Sequence, residues 1–154
     1  MSKSPLEKEM RFQKTGTNPE GYVVRLESGD PVIETLTAFM TAQGIGFASI
    51  SAIGSMDRAE VGWWNGVTRE YEFHLLEEQL EVLSFQGSCT VMAGKPFVHL
   101  HCMLGRHDLS VVGGHLKEGR AYPMAEVWVQ TQDATVLRAP EGSFTAMQLP
   151  DKLD

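Results

Sequence analysis

Four of the five histidines, His99, His101, His107 and His115, fall in one stretch, VHLHCMLGRHDLSVVGGHLKEG, between Val98 and Gly119. A neutral imidazole ligates borderline divalent ions and also exchanges protons near neutral pH. Along an extended strand alternate side chains share a face, so Val98, Leu100 and Cys102 point one way and His99, His101 and Met103 the other. His99 and His101 are therefore neighbours on one face, close enough to converge on one ion. His115 follows a second strand-like run and the pair Gly113-Gly114, which permits close backbone approach or a positive φ. If the two runs pair around a turn at Gly105–Asp108, His115 returns beside the first two.

Three neutral imidazoles suit zinc or another divalent cation, with a position left for water, a carboxylate or a substrate. The competing reading is of polar residues at the rim of a sheet, and there is no HExxH or CxxC set to decide between them. His107 is expected in the turn and His74 on a solvated strand. Glu126, in AEVWVQ, is a candidate ligand, second partner or general base, and equally a solvent-facing residue. Arg58 is a candidate for gripping a substrate carboxylate, and equally for a structural ion pair. P-loop, GxGxxG, GxSxG and zinc-finger patterns are absent from the sequence.

These residues need elements to place them. Tyr22 to Leu26 reads as a strand. Pro31 suits a first helical turn, and Ile33, Leu36 and Met40 recur at helical spacing, with Val32 and Phe39 widening the stripe. That predicts an amphipathic helix closed by Gly44. Strands are predicted over Ile45–Met56, with a turn or bulge at Gly54-Ser55, and from Ala59 to Trp64. Asn65-Gly66 signals a hairpin with a return strand from Arg69 to Leu75. Leu80–Phe85 and Ser88–Met92 read as strands broken at Gly87, followed by a tight turn at Ala93–Pro96. Further strands are expected over Ala125–Thr131, Thr135–Leu137 and Phe144–Leu149. Trp63, Trp64, Tyr71 and Phe73 read as core or as an interface.

One early helix followed by many short strands predicts an α+β fold with a mainly antiparallel sheet, in a single domain. Residues 1–20 are expected to form a flexible lead-in, 21–150 the domain and 151–154 a tail. The chain of 154 residues carries 20 acidic against 13 basic residues, a formal charge of -7. That balance disfavours direct nucleic-acid binding, which draws on a local excess of Lys and Arg. Neither a signal peptide nor an apolar run of transmembrane length is evident, so a cytoplasmic protein without membrane attachment is expected. Cys89 and Cys102 sit in apolar strand-like runs and read as buried thiols rather than a disulfide.

Taken together, GKPFVHLHCMLGRHDLSVVGGHLKEG, AIGSMDRAEVGWW and AEVWV resemble the "plants and prokaryotes conserved", or PPC, domain family, over about Tyr22 to Leu149. The resemblance implies a single α+β domain that assembles as a homotrimer. It implies a histidine cluster, carried here by His99, His101 and His115, that binds zinc in some members, with Arg58 and Glu126 as its neighbours. It also implies a fold similar to acetolactate decarboxylase, and hence a zinc-dependent, lyase-like enzyme on a small carboxylate or carbonyl compound as one alternative to a regulatory or assembly role, a DNA-binding protein being the other. A small anionic ligand would accompany such an activity. Plant members precede the domain with AT-hook segments, and no Arg-Gly-Arg-Pro core occurs in this sequence.

Overall fold

A computed structural model of the chain describes residues 11–17 and 20–149. Among these residues are one helix, α1 (Val32–Gln43), and nine strands. These are β1 (Arg11–Thr17), β2 (Glu20–Glu27), β3 (Ala48–Asn65), β4 (Glu70–Leu76), β5 (Leu80–Met92), β6 (Lys95–Gly105), β7 (Val111–Thr131), β8 (Arg138–Glu141) and β9 (Phe144–Met147). Part of the expected lead-in is thus strand: β1 pairs antiparallel with β2. Residues 1–10, 18–19 and 150–154 lie outside the described residues, the expected tail among them.

The main sheet runs β1-β2-β7-β6-β5-β3-β4, and β7 also pairs with β3. That extra pairing joins β3, β5, β6 and β7 into a closed circuit of antiparallel neighbours. β8 and β9 form a small second sheet, tied to β5 where the Val91 amide donates to the Val136 carbonyl. The α+β, mainly antiparallel class read from the sequence is the observed one. No helix among the described residues is long and apolar enough to cross a membrane.

Alternation along β6 follows the expected pattern, with Val98, Leu100, Cys102 and Leu104 buried and His99, His101 and Met103 facing outward. The core behind this face includes Phe85, Leu80, Leu116 and Val127, closed by Leu36, Phe39 and Met40 of α1. α1 packs against β6 and β7. Its first turn has Pro31 as N-cap, which offers no side-chain acceptor. The carboxylate of Glu118 on β7 takes over, accepting from the amides of Ile33 at 2.8 Å and Glu34 at 3.3 Å. Two otherwise orphaned helix donors are thereby satisfied, with negative charge at the positive end of the helix. At the other end Gly44, in the left-handed region at φ 65°, closes the helix as expected.

Several expected breaks are continuous strand. Ile45–Met56 and Ala59–Trp64 merge into β3, which bulges between Ala52 and Gly54. The two runs about Gly87 merge into β5 because this glycine marks a close approach: a Cβ there would collide with the His99 carbonyl. The hairpin after Asn65 needs four loop residues, since Asn65 Oδ1 accepts from the amides of Val67 and Thr68 and the positive φ falls at Arg69.

Candidate metal centre

β6 hands His99 and His101 to one face, and β7 brings back His115 in direct register with His101. The turn between them runs through Arg106–Ser110, with Leu109 rather than a glycine at positive φ. Gly113 and Gly114 allow the return. A Cβ on Gly113 would strike the Cys102 carbonyl of β6, and one on Gly114, at φ 155°, would lie 2.5 Å from the Gly62 carbonyl of β3. Only a strand without side chains at these two positions fits between both neighbours. His115 therefore has His101 across one edge of β7 and Gly62 across the other.

The three rings form a triangle, with centroid separations of 5.2 Å (His99–His101), 5.1 Å (His99–His115) and 5.7 Å (His101–His115). One nitrogen of each lies within 4.8 Å of the others. Tetrahedral zinc holds its nitrogens about 3.3 Å apart, given bonds of about 2.0–2.1 Å, so closure onto an ion asks for inward ring movement of about 1.5 Å or less. The donor chemistry fits. Burial, reinforced by the charges of His115, Arg138 and His101, pushes the His99 imidazole down to about 4, keeping it neutral. His115 is lowered for the same leading reason, burial, with His101 and Arg138 adding to it. Its Nδ1 is buried with no hydrogen-bond partner among the described residues. A buried ring nitrogen left unpaired is costly without a ligand, ion or water to meet it.

Beside His99 and His115 opens a cavity of about 470 Å³. Trp64 and Tyr71, from the β3–β4 hairpin, form one wall, and Phe97 and Phe144 contribute others. Tyr71 lies against the His115 ring at 4.9 Å and Trp64 meets Phe144 edge-on at 6.0 Å. Of the four aromatic residues that read as core or interface, Trp64 and Tyr71 line this cavity while Trp63 and Phe73 are exposed. Arg138 also lines it, and this residue was not singled out from the sequence. Its neighbours Thr90, Phe97 and Thr145 are scattered along the chain, and an isolated Arg in VLRAP carries no motif.

The other sequence candidates lie apart from the cavity lining. Arg58 is on β3, with its side chain near Glu77 at 3.8 Å. Glu126 sits on β7 opposite Arg25 of β2 and Ile53 of β3. His107 is exposed in the β6–β7 turn and His74 is exposed on β4, as their spacing predicts. Asp57 forms a two-pronged pair with Arg120, at 2.7 and 3.1 Å.

The family model described as the Plants and Prokaryotes Conserved (PCC) domain matches residues 13–133. The chain belongs to the PCC domain family. Among solved structures this PCC domain is similar to a plant- and prokaryote-conserved protein of Pyrococcus horikoshii, with 28% identity and a TM-score of 0.79 over 93% of this chain and 97% of that one. It is also similar to a metal-containing protein from Archaeoglobus fulgidus, with 31% identity and a TM-score of 0.76 over 88% and 94% of the two chains. A third, from Ralstonia eutropha, is described as a "Putative DNA-binding protein" and shows 25% identity and a TM-score of 0.82 over 90% and 96%. No curated protein matches the sequence significantly. The description of the Ralstonia relative runs against the expectation, drawn from net charge, that nucleic-acid contact is disfavoured.

Proposed function

We propose that this PCC protein is a cytoplasmic homotrimer that binds a divalent metal, zinc favoured, at His99, His101 and His115, in a regulatory or assembly role. The observation that carries the reading is the convergence of three imidazole nitrogens within 4.8 Å on the outer face of β6 and β7. The metal-containing Archaeoglobus relative supports it, and so does the unpaired Nδ1 of His115. Zinc held there would supply a Lewis acid, or a firm tie between β6 and β7. The protein's own residues hold three imidazole donors, cover His115 with Tyr71, and fix the β7 backbone with glycines.

The test is elemental analysis of the purified protein and of a variant with all three histidines replaced by alanine. About one zinc per protomer is expected in the parent and almost none in the variant; equal metal in both overturns the assignment. A second reading is a zinc-dependent enzyme acting on a small carboxylate or carbonyl compound. The cavity that opens beside His99 and His115 favours it.

A further inference from the structure

The cavity walls carry one group that the metal reading does not use. Arg138 is only 7% exposed. Its Nε donates to Thr90 Oγ1 at 3.2 Å and its Nη1 to the Thr145 carbonyl at 3.0 Å, while the guanidinium lies over the Phe97 ring at 5.3 Å. Nη2 makes no hydrogen bond to protein among the described residues, and no carboxylate there pairs with this arginine. Arg25, Arg58, Arg106 and Arg120 each face one, Glu27, Glu77, Glu78 and Asp57 respectively. In a chain with 20 acidic residues, a mostly buried cation has been left without a counter-charge among the described residues. Burying an unpaired charge is strongly unfavourable, and the neighbouring His99 and His115 carry no negative charge in either protonation state to offset it.

We infer that Arg138 is the anchor of a binding subsite for a small organic carboxylate, whose apolar body packs against Trp64, Tyr71 and Phe144. The guanidinium is held in place by Thr90 and Thr145, so little side-chain freedom remains to be lost when an anion arrives. Aromatic walls select a ligand with an apolar body over bare inorganic phosphate or the strongly hydrated phosphates of a nucleic-acid backbone. A cavity of about 470 Å³ is of a size for a small molecule. The subsite opens directly onto His99 and His115, so the inference deepens the metal-centre reading, and rests on it for the role of the cavity as a functional site.

The probe is benzoate, titrated calorimetrically into the zinc-loaded full-length protein, with benzamide as its uncharged counterpart and inorganic phosphate as the bare anion. Benzoate is expected to bind at least about tenfold more tightly than either, and R138Q to lose about tenfold or more of that affinity while its zinc content stays at the parent value. R138K keeps the charge but not the fork, and is expected to fall between the two. Equal binding of benzoate and benzamide by the parent overturns the subsite, and this comparison holds even if the variants fail to fold. Tighter binding of phosphate than of benzoate overturns it too, as does unaltered benzoate affinity in a folded, zinc-replete R138Q. A protein that discriminates benzoate from benzamide but takes up no zinc retains the Arg138 subsite and sinks the metal reading instead.

Discussion

At the scale of single residues, the histidine cluster depends on what stands directly behind it. Cys102 lies between His101 and Met103 in sequence but on the opposite face of β6, and its Sγ reaches the Gly114 carbonyl of β7 at 3.6 Å. Burial pushes this thiol, and that of Cys89, up to about 11. The reactive thiolate is then only about one part in a thousand at pH 8, against roughly one in four for an ordinary thiol. Iodoacetamide at that pH is expected to leave both cysteines unmodified in the folded protein and to alkylate both in urea, read by intact mass. Rapid labelling of Cys102 in the native state would mean that β6 and β7 are not held together as described. The histidine face itself was legible from strand alternation and the Gly113-Gly114 pair, because a period of two and two missing side chains are local signals. Arg138 was not legible, since its meaning comes from Thr90 and Phe97, both more than forty residues upstream, together with Thr145 beyond the next turn.

At the scale of elements, α1 is attached to the sheet through a carboxylate rather than through its own cap. Replacing Glu118 by alanine is expected to cost about 1–2 kcal/mol in urea unfolding, the loss of an N-terminal cap and its favourable charge. Glutamine retains one acceptor oxygen and is expected to cost about half as much. A change within experimental error for Glu118→Ala would show that water satisfies the helix end equally well. The same scale explains why strand boundaries were misread. Glycines at positions 54, 87, 113 and 114 look like punctuation in a linear sequence, yet they lie within β3, β5 and β7. At Gly87 and Gly113 the missing side chain makes room for a neighbouring strand's carbonyl, and that neighbour is visible only after pairing. The reading of helix and fold class was sound because a 3.6-residue stripe and a series of short apolar runs are properties of the chain alone.

At the scale of the whole molecule, the histidine face continues into an apolar one. Met103 and Val111 are 54% and 51% exposed on the adjoining strands, with Leu83 nearby on β5 at 48%. Contiguous exposed apolar surface of this kind is characteristic of association sites. Three copies of the 17.0 kDa chain have a mass of about 51 kDa. Light scattering is expected to give that value for the parent protein, and a value near one chain for a Met103→Glu, Val111→Glu double variant, if this face forms the trimer contact. A trimer that survives both substitutions would place the contact elsewhere, and a parent protein that runs as a single chain would remove the trimer altogether.

The placement of His115 on β7 has one more consequence. This strand has a neighbour on each edge at His115, which pairs with both β6 and β3, and again from Ala125 to Gln130 between β2 and β3, while the Ala121 backbone bonds to Gly29 and Asp30 opposite its β3 partner Met56. At these positions the strand has no free edge from which to fray, so their amides reach solvent through global opening rather than local fluctuation. A histidine carried there is not on a movable loop. Whatever the three rings grip acts on the folding equilibrium of the entire sheet, and a ligand lost from this corner is felt as a change in the lifetime of the native protein.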